Sequence, residues 1–319
     1  MTVALDAMGG DHGPAAVVDG ALLVADARPE VEVVLVGAPD VLAACLAERG
    51  VAGRLDVVPA RQVVEMTEDP ARAVRAKRDA SVRVAARLVR DGRAAATVTV
   101  GPTGAALAAA VFTLGRLPGV TRPGLAVVVP TPGGDLVLLD AGATVDCRPD
   151  LLAQLALAGA AFARARLGVD DPRVGLLNVG SEQGKGDLLR REAADLLGRL
   201  PINYVGNVEG NHVAEGGRAD VVVTDGFTGN VVVKCLEGAA RSRPADDAAD
   251  PDTGGGGVLL GVDGVAVVGH AGSSPSAVAH CICAAADAAA TGLVDRVRAA
   301  LADLVARRLA DPDVGAVAP

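Results

Sequence analysis

Aromatic residues are nearly missing from this 319-residue chain, which has no Trp, one Tyr and three Phe. Half the residues are hydrophobic but 1% are aromatic, so Val, Leu and Ala must fill the core. That filling suits a parallel sheet covered by helices better than an aromatic-rich β-sandwich. Lysine is scarce as well: 27 of the 30 basic residues are Arg, and the exceptions are Lys77, Lys185 and Lys234. Nowhere do 18 uncharged apolar residues run together, so no segment is expected to span a membrane. Met1 to Asp6 read directly into a strand without a charged leader, so no signal peptide is expected. The cysteines, Cys45, Cys147, Cys235, Cys281 and Cys283, are odd in number and lack Cys-x-x-Cys spacing. They predict reduced thiols rather than disulfides or structural zinc, and hence a cytoplasmic location. No Gly-x-Gly-x-x-Gly follows a strand and no Gly-Lys-Ser/Thr turn occurs, which removes the usual dinucleotide and nucleotide motifs. The net charge of -9, with no basic patch standing out, argues against nucleic acid as a partner.

What is present is alternation. Short apolar runs at Val3–Leu5, Glu32–Val36, Leu55–Val58, Thr97–Val100, Leu125–Val129, Leu136–Leu139, Val174–Leu177, Val221–Thr224 and Val265–Val268 predict buried strands. The segments between them suit amphipathic helices; after Pro149, Leu151, Leu155, Ala158 and Phe162 recur at spacings of three to four. Ser276 to Leu309 predicts two covering helices broken at Gly292. Together these imply one large α/β domain over residues 1–319, a Rossmann-like three-layer sandwich with a mostly parallel sheet. Gly238 to Gly257, rich in Asp, Pro and Gly, is expected to be a mobile surface loop.

Ligands of such sheets bind beyond the carboxyl ends of strands, and the polar turns of this chain fall there. Asp6, Gly9, Gly10 and Asp11 form a glycine-rich turn after the first strand, open to a ligand role or to simple helix capping by Asp11. Gly101, Thr103 and Gly104 lead into an Ala-rich helix whose start favours an anion such as phosphate, with a plain Thr cap as the alternative. Asp140 and Asp146 flank a flexible turn, where they could hold a cation, orient a base or, for Asp146, cap a helix. Cys147 beside them reads as packing rather than as an acyl-carrying nucleophile. Asn178 opens a glycine-rich loop in which Lys185 can reach an anionic oxygen, the strongest single candidate. Asn207 and Glu209 sit in one further polar turn, Asp225 and Asn230 in another that precedes a helix. His270 follows the strand Val265–Val268, and as a lone His it is open to either a structural or a catalytic role.

In order, these segments resemble the phosphate acyltransferase family often called PlsX. The likeness runs through Ala4 to Asp11, Arg75 to Ser81, Gly101 to Ala105, Leu138 to Cys147 and Pro172 to Gly180. It continues through Lys185-Gly186, Gly206 to Gly210, Asp225 to Asn230 and Leu259 to His270. The resemblance implies a fold related to phosphotransacetylases and isopropylmalate dehydrogenases, usually dimeric and without a bound cofactor or metal. It also implies transfer of a fatty acyl group from acyl carrier protein to inorganic phosphate, giving acyl phosphate for phospholipid synthesis. On chemical grounds Lys185 and the amides of Gly101 to Gly104 would then hold phosphate, Asn230 would face the developing oxyanion, and His270 would protonate the departing thiolate.

The chain departs from the family pattern where Pro102 and Thr144 replace Asn, and where Val267-Val268-Gly269 replaces a Lys-Ser pair. The Gly238 to Gly257 segment stands where the family carries helices associated with dimer and membrane contact, so any peripheral membrane contact is expected to be weak. Rival readings are a phosphotransacetylase acting on acyl-coenzyme A, a non-catalytic acyl-carrier-binding relative, and a nicotinamide dehydrogenase. All of the site reading rests on one expectation: Lys185, Thr103, Asn230 and His270 converge at one rim of the sheet.

Overall fold

A computed structural model describes residues 1–242 and 256–310. The chain opens with β1 (Thr2–Asp6), α1 (Gly13–Ala27), β2 (Glu32–Gly37), α2 (Pro39–Glu48), β3 (Asp56–Pro59), α3 (Pro70–Ala76), α4 (Ser81–Arg90), β4 (Ala96–Thr99) and α5 (Thr103–Thr113). Next come β5 (Gly124–Val129), β6 (Leu136–Leu139), α6 (Pro149–Leu167), β7 (Arg173–Leu177), α7 (Leu188–Leu197), β8 (Asn203–Val208), α8 (Gly210–Glu215), β9 (Val221–Val223) and α9 (Gly226–Arg241). The last described elements are β10 (Gly257–Leu260), β11 (Val265–Val268), α10 (Pro275–Ala290) and α11 (Leu293–Ala310).

These elements form two compact units, Met1–Gly115 with Asp252–Thr291, and Arg116–Pro251 with Gly292–Pro319. In the first unit the strand order is β3-β2-β1-β4-β11-β10, parallel except where β10 runs against β11. In the second it is β5-β6-β9-β7-β8, parallel except for the β5–β6 pair. The expected mostly parallel α/β architecture is therefore what the chain adopts.

The core is aliphatic, as the composition requires. Leu5, Leu35 and Val98 are fully buried in the first unit, and Leu138, Leu176 and Val222 in the second. Helix α6 is buried from Pro149 through Ala163, which explains why its pattern is apolar nearly all round. Strand β8 escaped the sequence reading because Asn203-Tyr204-Val205-Gly206-Asn207-Val208 has no apolar run, and its pairing with β7 shifts register at Val174/Gly175. The loop expected at 238–257 starts later than anticipated, since Gly238–Arg241 complete α9, and Gly257 already belongs to β10. The remainder of that expectation, residues 243–255, lies outside the described residues. Among the described residues no single helix is long and apolar enough to cross a membrane.

Candidate active site

In the first unit β1, β4 and β11 are parallel neighbours, so the turns that follow them share one rim. Asp6 ends β1 and is 3% exposed. Its carboxylate accepts from the Thr99 hydroxyl at 2.7 Å and from the Met8 N–H at 3.3 Å, and it also bonds Ser81. Burial pushes the Asp6 carboxyl above its ordinary range, and these three bonds act against that push. Thr99 in turn accepts the Gly101 N–H at 3.0 Å, so a chain of bonds runs from Asp6 through Thr99 to the Gly101 peptide. A Cβ on Gly9 would lie 2.6 Å from the Gly101 nitrogen, so only glycine lets these two turns touch. Asp6, Gly9, Ser81, Thr99, Gly101 and Pro102 help line a small cavity with room for about one water molecule.

This bonding narrows the expected anion site. The Gly101 N–H is spent on Thr99 and Pro102 has none, whereas the N–H groups of Ala105 and Ala106 turn back to the Pro102 carbonyl. The N–H groups of Thr103 and Gly104, at the start of α5, have no acceptor among the described residues. Pro102, not Thr103, is the N-cap. Asp11 does not cap α1 either: the N-cap is His12, and Asp11 is exposed with its N–H donated to the Ala271 carbonyl at 2.7 Å. Gly10 adopts φ 91°, and exposed His270 accepts the Ser273 N–H on its carbonyl at 3.0 Å.

In the second unit the turns after β6, β7, β8 and β9 likewise share a rim. Asp140, fully buried, accepts four backbone N–H groups, from Leu125, Gly142, Ala143 and Thr144, at 2.7–3.0 Å. Burial still pushes its carboxyl upward, with those four donors opposing. The turn is sealed against α9, where a Cβ on Gly229 would lie 1.9 Å from the Asp140 carbonyl oxygen, and the Gly226 N–H reaches the Thr144 carbonyl at 2.8 Å. Asn230 donates to the Ala141 carbonyl at 3.2 Å. Asp146 is exposed, and the N-cap of α6 is Arg148 rather than Asp146.

Asp225 is the N-cap of α9 and accepts the Thr228 N–H at 2.9 Å and the Thr228 hydroxyl at 2.8 Å. Arg190, on α7, pairs with the same carboxylate and reaches Thr228 Oγ1 at 3.2 Å and Asp187 at 2.8 Å. Burial opposes the Asp225 charge, but Thr228 and Arg190 outweigh it and hold the carboxyl below its ordinary range. These bonds make Asp225 a helix cap and ion-pair partner.

Asn178 and Asn207 seat the lysine loop. Asn178 donates to the Lys185 carbonyl at 3.0 Å and accepts the Val179 N–H at 2.8 Å, while Asn207 donates to the Glu182 carbonyl at 2.9 Å. Glu209 forms a capping box with His212 at the start of α8. Lys185 is exposed between Gly184 and Gly186, both at positive φ, and its ammonium makes no ion pair or hydrogen bond among the described residues. The other two lysines are engaged, Lys77 with Glu68 and Lys234 with Glu237. A free ammonium on a sterically stripped loop is available to an anion. Cys147, after β6, is unsuited to nucleophilic attack: burial, Asp225 and Asp140 push its thiol up to about 12.

Against this geometry, a family model described as "Fatty acid synthesis protein" matches residues 1–245. A phosphate acyltransferase of Desulfitobacterium hafniense is 39% identical, covering 93% of this chain and 97% of its own. One from Myxococcus xanthus is 45% identical over 89% of both chains. The chain belongs to the phosphate acyltransferase family. Among solved structures, the EutD phosphotransacetylase from Staphylococcus aureus aligns with TM-score 0.65 and 16% identity, covering 91% of this chain and 94% of that one. A phosphotransacetylase from Streptococcus pyogenes aligns with TM-score 0.66 and 17% identity, over 92% and 94%. At those identities the likeness concerns the fold.

Each departure from the family pattern has a definite place. Pro102 caps α5 without a side-chain acceptor, and Val268 is buried at the end of β11. Thr144 is buried, with its N–H on Asp140 and its carbonyl on Gly226. Sequence reasoning missed Thr99 and Arg190. Thr99 left a trace, a polar residue at the carboxyl end of a buried strand; Arg190 left none beyond its spacing of three from Asp187. Among the described residues no group of three or more His, Cys, Asp or Glu could hold a metal ion.

Proposed function

We propose that this chain transfers a fatty acyl group from the thioester of acyl carrier protein to inorganic phosphate, releasing acyl phosphate for phospholipid synthesis. Family membership supports the reaction class, and the free Lys185 ammonium is the observation within the chain that carries the phosphate assignment. A phosphate oxygen attacks the thioester carbonyl, the carbonyl oxygen gains the negative charge, and the carrier thiolate then departs as the C–S bond breaks. No acyl-enzyme is needed, in keeping with the protonated state of Cys147. The chain's tasks are positioning and charge stabilisation.

Lys185 binds phosphate in this reading. The free N–H groups of Thr103 and Gly104 are neutral donors suited to an anionic oxygen. Asn230, in the same unit as Lys185, serves the oxyanion. Asp6 and Asp140 act through the turns they hold. Gly9, Gly10 and Gly101 keep side chains out of the rim, and Asn178, Asn207 and Glu209 shape the loops around Lys185. The resemblance adds a homodimer, the unpaired cysteine pattern points to the cytoplasm, and the Asp-, Gly- and Pro-rich composition of residues 238–257 points to weaker membrane contact than is usual for the family.

The test is incubation with acyl-carrier thioester and inorganic phosphate, trapping acyl phosphate with hydroxylamine. Phosphate-dependent hydroxamate formation is expected. Turnover of acyl-coenzyme A alone would reassign the chain to phosphotransacetylase chemistry, and carrier binding without product would make it a non-catalytic relative.

A further inference from the structure

Among the described residues of the second unit, the exposed large apolar side chains are Val145, Val179, Leu188, Phe227 and Val231, at 47–82% exposure. All of them follow the carboxyl end of β6, β7 or β9, the rim that carries Lys185. Val145 and Val179 sit in the turns after β6 and β7, Leu188 opens α7 beyond the lysine loop, and Phe227 and Val231 lie one turn apart at the start of α9. Single exposed apolar residues are ordinary, but their confinement to one rim marks a binding surface.

Contacts within the unit tie these segments together around the lysine. A Cβ on Gly180, next to Val179, would lie 3.4 Å from Lys185 Cγ. A Cβ on Gly186 would lie 2.9 Å from Arg190 Cβ, two residues on from Leu188, and Arg190 reaches Thr228 Oγ1 at 3.2 Å beside Phe227. The Thr144 carbonyl, next to Val145, accepts the Gly226 N–H at 2.8 Å. An ammonium without a partner thus stands among apolar side chains that the core does not use.

We propose that this apolar border seats the hydrocarbon chain of the acyl group, with Phe227 and Val231 setting how much of the chain is held. The proposal rests on the functional reading above and adds the side chains that determine chain-length preference. An acyl phosphate joins an anion to an apolar chain through one carbonyl carbon, so its two ends match an ammonium and an apolar border lying side by side. A hydrocarbon has no polar group to satisfy and needs nothing but such surface.

The test uses straight-chain alkyl phosphates from butyl to decyl, below their micelle concentrations, with Kd on the full chain read by titration calorimetry. For the wild type, Kd should fall about two- to fourfold per added methylene, as partial to full burial of each CH₂ requires. Phe227→Ser/Val231→Ser should melt with the wild type, since both side chains are exposed, keep the Kd of butyl phosphate and lose most of the gain per methylene. Lys185→Ala should instead raise Kd about tenfold or more at every length and keep that gain. A wild-type Kd indifferent to chain length overturns the proposal, and so does an undiminished gain in the folded double variant. An undiminished gain with a dimer turned to monomer by light scattering also overturns it and gives the surface to a second copy of the chain. The functional reading fails separately, if wild-type protein releases no acyl phosphate, and the calorimetry still reads the seat in that case.

Discussion

Replacing Arg190 by Met keeps most of the side-chain length and removes one charge from a cluster whose parts are all visible. Asp225 and Arg190 are 9% and 13% exposed at their side chains, so the pair is largely out of water. The change strips Asp225 of its cation and Thr228 of a donor, but leaves Asp225 the N–H and hydroxyl of Thr228. Breaking a fully buried pair from one side costs about 3–5 kcal/mol, and an exposed pair is worth about 0–1 kcal/mol. With the remaining bonds in place, about 2–4 kcal/mol is expected, a fall of about 3–6 °C in melting temperature for a chain of this length. The pH dependence follows from the depressed Asp225 carboxyl, whose contribution is present above its unfolded pKa and lost as pH falls through its folded pKa. The gap between variant and wild type should therefore be full at neutral pH and narrow below about pH 4. Thermal melts at pH 7 and pH 3 read both effects. Equal melting temperatures at neutral pH, or a gap that widens on acidification, would refute the assignment of Asp225 as an ion-paired cap.

Lys185→Ala should leave the melting temperature unchanged, because the ammonium has no partner to lose, while raising the phosphate KM by about 10- to 100-fold for a lost charged contact. An unaltered phosphate KM would remove Lys185 from the site. Thr99→Val should cost about 1–3 kcal/mol by leaving the Gly101 N–H without an acceptor and Asp6 with only Met8 and Ser81, and should raise the phosphate KM through the loosened turn; calorimetry with phosphate-dependent kinetics checks it. Cys147→Ser should retain activity, and iodoacetamide should label Cys147 slowly at pH 8, as mass spectrometry of labelled peptides would show.

Most strands with continuous apolar runs, from Val3–Leu5 to Val265–Val268, were legible because burial on both faces leaves no other composition open to them; β3, expected to be buried, is instead a largely unburied edge, and β10, apolar and buried, was passed over behind the glycines that precede it. β8 was not legible, since a polar sequence can pair through its backbone without advertising itself. The site divides the same way. Turn residues such as Gly9 and Lys185 were legible from glycine density and the rarity of lysine. The function of a carboxylate was not: Asp140, Asp225 and Asp6 look alike in sequence, and only their donors separate a turn organiser, a cap and the head of a relay. Partners distant in sequence, Arg190 for Asp225 and Thr99 for Asp6, are written in no local pattern.

In the first unit, β11 pairs with β4 along Val265–Val268, though about 165 residues of chain are made between them. At ribosomal speeds the exposed side of β4 waits on the order of 10 to 30 s for its neighbour. Through that interval a buried-type strand, Ala96-Thr97-Val98-Thr99, offers open backbone groups to any passing chain. Nascent chains halted before residue 265 should therefore be the species most in need of chaperones.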